Sequence, residues 1–159
     1  FSLNFIPQSI LIFVYPYFAQ NNNNTKYIKS HLVNLIRYLS LVNFVIVTFL
    51  FIFAPFIIRI VFGSGYGDSV VPFRILIIGY LIAGSLRIPL GNILASLKLI
   101  KINLYNAILS GLINIILDII LIKKYGSIGA AISTLSIFVI SSVFSLQYMM
   151  RKLKKKNPY

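Results

Sequence analysis

The sequence contains no cysteine, no glutamate and a single histidine, His31. Without cysteine, disulfide frameworks and thiolate metal sites are excluded. One histidine in a polar segment cannot build a His-rich metal centre. Two acids, Asp68 and Asp118, stand against fifteen Lys and Arg. Charged residues make up 11% of the chain, against about 25% in an average soluble domain. With 58% hydrophobic residues and a mean hydropathy of +0.91, a soluble globular protein and a disordered one are both excluded. The class left is an all-α integral membrane protein, a polytopic helical bundle.

Five stretches are apolar and long enough to span a bilayer, at about 2–19, 34–62, 70–97, 102–122 and 127–150. They far exceed the roughly 9–11 residues of a membrane β-strand and show no alternation. Between them, residues 20–33 read as a hydrophilic loop opened by a run of asparagine. Residues 63–69 are glycine-rich, and 98–101 and 123–126 read as tight turns. Residues 1–150 thus form a membrane bundle and 151–159 a basic tail. The chain begins at Phe1 inside an apolar run, with no leader-like n-region before it. The expectation is the C-terminal part of a longer transporter, partnered by that protein's N-terminal half.

A net charge of +13 does not signal nucleic-acid binding here, because the cations lie between apolar runs and at the C-terminus instead of on one face. They sort by side. Lys26, Lys29, Arg37, Lys98, Lys101, Arg151, Lys152, Lys154, Lys155 and Lys156 fall on one side; Arg59, Arg74, Lys123 and Lys124 fall on the other. The positive-inside rule makes the first side cytoplasmic, and with it the C-terminus.

Polar residues within spans are costly and mark the faces turned away from lipid. Arg87 lies ten residues before Leu97, roughly 15 Å deep at 1.5 Å per residue. Helical spacing puts Tyr80, Gly84, Gly91 and Lys98 on its stripe, with Pro89 expected to kink the helix. The stripe reads either as an anion-binding face of a central cavity or as an arginine satisfied by carbonyls or by a carboxylate elsewhere. In the fourth span Asn103, Asn106, Ser110, Asn114 and Asp118 line one face. These amides either bond between helices or bind substrate. Asp118 either pairs with Lys123 or Arg74 or couples an ion. Asn4, Gln8 and Tyr15 share a face of the first span. The fifth is rich in small residues suited to close packing. There is no phosphate-binding loop and no His-Glu pair, and a Ser-His-Asp triad would have to use His31 in its polar loop. The GSGYG at 63–67 resembles a nucleotide-binding pattern only superficially. The reading is a non-enzyme without a cofactor.

Three stretches resemble the polysaccharide flippases of the multidrug/oligosaccharidyl-lipid/polysaccharide exporter superfamily. In residues 114–134, Asn114, Leu117, Asp118, Leu121, Ile122, Gly126, Gly129, Ala130, Ala131 and Thr134 match that family's pattern across its last two spans; Lys123 and Lys124 depart from it. Residues 62–76, FGSGYGDSVVPFRIL, resemble its entry to an earlier span, and Pro16 stands where the family often has proline. The resemblance implies spans 8–12 of a twelve-span, two-bundle fold in the inner (cytoplasmic) membrane. It implies alternating-access export of lipid-linked oligosaccharide, whose head group is an anionic pyrophosphate. Arg87, Lys98, Tyr80, Asn4, Gln8 and Asn114 are the candidate substrate-binding residues, and Asp118 is the ion-coupling candidate. Membrane lipids are the other partners. The alternatives are a multidrug exporter of the same superfamily, a membrane enzyme of surface-glycan assembly, or a structural subunit. A drug exporter would favour acidic cavity residues.

Overall fold

The computed structural model describes residues 5–155, all of whose regular elements are helical. Helix α1 (Phe5–Gln20) carries Pro7 in its first turn, where a missing N–H costs little. It ends at the asparagine run, where the Asn21 backbone and side-chain N–H groups both donate to the Tyr17 carbonyl. Asn24 then caps α2 (Thr25–Phe62), its side chain accepting from the Tyr27 N–H at 3.0 Å.

Residues 25–33 are therefore helix, not the loop expected from their polarity. The asparagine cap starts the helix, and Thr25, Ile28, Leu32, Leu35 and Leu39 bury one face at helical spacing. At 38 residues, α2 is roughly 57 Å long and exceeds a bilayer's hydrocarbon core of about 30 Å. A short 3₁₀ segment, Ser64–Ser69, leads into α3 (Val70–Ile82). A single π-turn, Ala83–Arg87, then joins α3 to α4 (Ile88–Ser96). Pro89 explains that turn. It has no N–H for the Ser85 carbonyl, and its ring would press on that carbonyl in a regular helix. The backbone widens instead, and the Ile88 N–H bonds back to Ala83.

Helix α5 (Ile100–Lys155) breaks at Gly126, whose φ of 57° and ψ of −132° are not helical. Its two arms, 100–125 and 127–155, fold back on each other. Asn106 bonds to Ser141 and Ser145, and Ser133 bonds to Asn114. A Cβ at Gly129 would meet the Leu121 carbonyl, so this hairpin closes only because the residue has no side chain. Among the described residues, three helical stretches are long and apolar enough to cross a membrane: 25–62, 64–96 and 100–154. The Gly126 reversal divides the last of them, and α1 has 16 residues.

The partners fix the helix directions. Asn43 meets Tyr80 and Ser85 while Phe51 meets Arg74, so α2 and α3 are antiparallel. Gly91 meets Asn103, and Arg87 meets Ser141. One end of the bundle accordingly gathers the 21–24 turn, the 97–99 turn and the start of the basic tail. The 63–69 segment and Gly126 lie towards the other end. Near the basic end, Leu11, Phe18, Ile28, Leu39, Leu90, Leu94 and Met149 form a buried cluster. Large apolar side chains such as Phe44, Phe49, Phe56, Leu104, Ile108, Ile115 and Ile119 point outward, as lipid-facing helices require.

Candidate functional site

A cleft of about 320 Å³ opens between α1, the π-turn with α4, and both arms of α5. Its lining includes Gln8, Arg87, Gly91, Asn92, Asn103, Asn106, Ser141 and Ser145, and among the described residues contains no acid. Arg87 is half-buried at the end of the π-turn. Its Nε–H donates to Ser141 Oγ at 3.1 Å, and the guanidinium lies 5.4 Å from the centre of the Phe138 ring. Of the five guanidinium donors, the four on the terminal nitrogens have no hydrogen-bond partner among the described residues.

The amides hold the walls. Asn106 is buried and donates from Nδ2 to Ser141 Oγ and Ser145 Oγ, both at 2.9 Å, and its Oδ1 accepts from Ser110. Asn103 donates to the Gly91 carbonyl at 2.7 Å, tying α4 to α5, and Asn92 donates to the Ile88 carbonyl. The result is a half-buried cation, fixed by one hydroxyl and facing neutral polar groups. Such a site can accept an anion through charge-assisted, paired hydrogen bonds.

Gln8 and Arg87 are thus brought together. Asn4 lies outside the described residues. Tyr80 is elsewhere: its hydroxyl donates to Asn43 Oδ1 at 3.2 Å, in a buried cluster with Ser85. The π-turn explains the separation, because one inserted residue rotates the following helix by about 100°. Gly84 completes that cluster: a Cβ there would sit 2.8 Å from Asn43 Nδ2.

Lys98 is also outside the cleft, in a second pocket with Lys152 at the basic end. Asn114 and Asp118 bond each other at 2.6 Å, and Ser133 donates to Asn114. Asp118 forms no ion pair with Lys123 or Arg74 among the described residues. Arg74 donates instead to the Phe51 carbonyl and lies over that ring.

The residues that the sequence reading misses are Asn92, Ser141 and Ser145; of the fourth-span amides, whose two readings it leaves open, Asn103 and Asn106 line the cleft and Asn114 does not. Depth carried the available signal. Arg87 and Asn106 stand at similar distances from the 97–99 turn, whereas Asn114 lies two turns further on.

With this geometry in hand, the N-terminal part of the chain, less than half of it, shows a likeness to a known family. Residues 1–71 match the family described as polysaccharide biosynthesis protein. The match takes in α1, α2 and the 3₁₀ segment. Of the cleft residues it includes Gln8, while Arg87 and the amides lie beyond it. No curated protein and no solved structure matches the chain.

Proposed function

We propose that the chain belongs to a flippase that carries lipid-linked oligosaccharide across the cytoplasmic membrane by alternating access. The observation that carries this reading is Arg87, a half-buried cation in an acid-free cleft with its terminal N–H groups unused by the described protein groups. A pyrophosphate offers the paired oxygen acceptors that a planar guanidinium fits. Asn92, Asn103 and Gln8 offer neutral polar groups for the sugars beside it. The similarity of residues 1–71 to a polysaccharide biosynthesis family supports the substrate class. Spans rich in exposed apolar residues support a membrane location. The distribution of Lys and Arg supports an orientation with residues 20–33 and the tail on the cytoplasmic side, and the inner membrane is what the resemblance to the exporter superfamily implies.

No bond is made or broken in this scheme. Arg87 holds the head group, and Ser141 and Phe138 hold Arg87. Rocking against a second bundle, the N-terminal half of the same transporter, would expose the cleft to either side in turn. Multidrug efflux is the weaker alternative, because cationic drugs need a carboxylate that the cleft lining lacks.

The test is surface glycan per unit of membrane-inserted protein in cells that depend on this exporter. Arg87→Ala abolishes display and Arg87→Lys impairs it, both with insertion unchanged. Normal display by Arg87→Ala refutes the proposal.

A further inference from the structure

Lys98 is the one non-glycine among the described residues with a left-handed backbone, at φ +62°. It closes α4 in a Schellman arrangement. The Leu99 N–H donates to the Leu94 carbonyl at 2.9 Å and the Lys98 N–H to the Ala95 carbonyl at 3.0 Å. Leu94 and Leu99 meet in the same apolar cluster, the contact that accompanies this cap. Glycine is favoured at such a position because a Cβ crowds the neighbouring carbonyl. A lysine there bears strain that its neighbours must hold in place.

The strained residue lines a pocket. A space of about 360 Å³ lies between the α1–α2 turn, the α4–α5 turn and the end of α5. Lys98 and Lys152 reach it from two different elements, with Asn22 and Thr25 on the turn side and Ile28 and Leu153 as apolar wall. No acid lines it. It lies where the apolar bundle gives way to its basic end.

We infer that this pocket binds the phosphate of an anionic lipid head group. Two ammonium groups supply the charge and the apolar wall takes the start of the lipid tail. Because the head groups of membrane lipids and of a lipid-linked glycan both carry phosphate, both are sources of this chemistry. The site does not use Arg87, so it stands or falls apart from the cleft.

The experiment titrates the full chain, in neutral detergent, with short-chain phosphatidylglycerol, with phosphatidylcholine and with geranylgeranyl pyrophosphate, read by native mass spectrometry. Lys98→Gly and Lys152→Gln each weaken phosphatidylglycerol binding about fivefold, and the double variant about 25-fold. Lys154→Gln, with the same charge change outside the pocket, weakens it less than twofold. Lys98→Gly melts at or above the wild-type temperature, because glycine relieves the backbone, so lost binding there is not lost folding. If the lysine dependence appears with geranylgeranyl pyrophosphate alone, the phosphate site stands and its source is the glycan carrier. If both lysine variants bind every anionic probe as wild type does, or Lys154→Gln equals Lys152→Gln, the inference is overturned.

Discussion

Asn106→Ala should be the most damaging single amide removal in the bundle. Apolar burial drives helix association weakly in lipid, so packing and interhelical hydrogen bonds carry the hairpin. Among the described residues Asn106 makes more of these bonds than any other amide: Nδ2 reaches Ser141 Oγ and Ser145 Oγ at 2.9 Å and the Ser141 carbonyl at 3.3 Å, and within its own arm Oδ1 accepts from Ser110. Interhelical bonds measured in membranes average about 0.6 kcal/mol and reach about 1.7. Two engaged donors and the void left behind together give about 2 kcal/mol, or roughly 30-fold in the unfolding equilibrium. Asn114→Ala removes one bond within its own helix and one across the hairpin, for about 1 kcal/mol. The assay is reversible unfolding in mixed micelles with rising dodecyl sulfate. A loss below about 0.5 kcal/mol for Asn106→Ala, or a larger loss for Asn114→Ala, refutes this account of the hairpin. Export should fall severalfold in Asn106→Ala without vanishing, because Ser141 still accepts from Arg87.

Three further outcomes follow from the same contacts. Gly129→Ala places a methyl group on the Leu121 carbonyl and should cost more stability than Asn106→Ala in the same micelle titration; a neutral result would mean that the hairpin opens freely. Tyr80→Phe removes a buried bond to Asn43 and should cost about 0.5–1.5 kcal/mol while phosphatidylglycerol and pyrophosphate affinities stay at wild-type values; a binding defect would place Tyr80 in the substrate path after all. A cysteine at the exposed position 66 should react with an impermeant reagent added from outside the cell and one at the exposed position 29 should not; the reverse pattern overturns the orientation.

Helix positions were largely readable because unbroken apolar runs admit few alternatives, and the grouping of cations reappears as one end of the bundle. Residues 25–33 were not readable from polarity alone. Their helix depends on the Asn24 cap and on Thr25 and Ile28 finding a buried partner surface, and a count of polar residues sees neither. The face of Arg87 was readable forward to Gly91 but not backward to Tyr80, since stepping by three or four assumes regular turns and Pro89 widens one. Asn103, Asn106, Ser110, Asn114 and Asp118 do share a face. That face runs the length of the hairpin, and only its portion at the depth of Arg87 opens into the cleft. Helical spacing puts Lys98 on the stripe only if the helix continues past the end of α4, where the left-handed turn at Lys98 redirects the chain.

The central claim is that Arg87 holds an anionic head group, and affinity for a pyrophosphate lipid tests it most directly. Geranylgeranyl pyrophosphate and the uncharged alcohol geranylgeraniol would be titrated against the intact protein in phosphatidylcholine nanodiscs, wild type beside Arg87→Gln. A hydrogen bond to a charged group contributes about 1.5–3 kcal/mol, so the pyrophosphate should bind Arg87→Gln roughly 10–100-fold more weakly while the alcohol binds both proteins alike. Equal pyrophosphate affinity in the two proteins would contradict the claim and leave Arg87 as a structural cation held by Ser141 and Phe138.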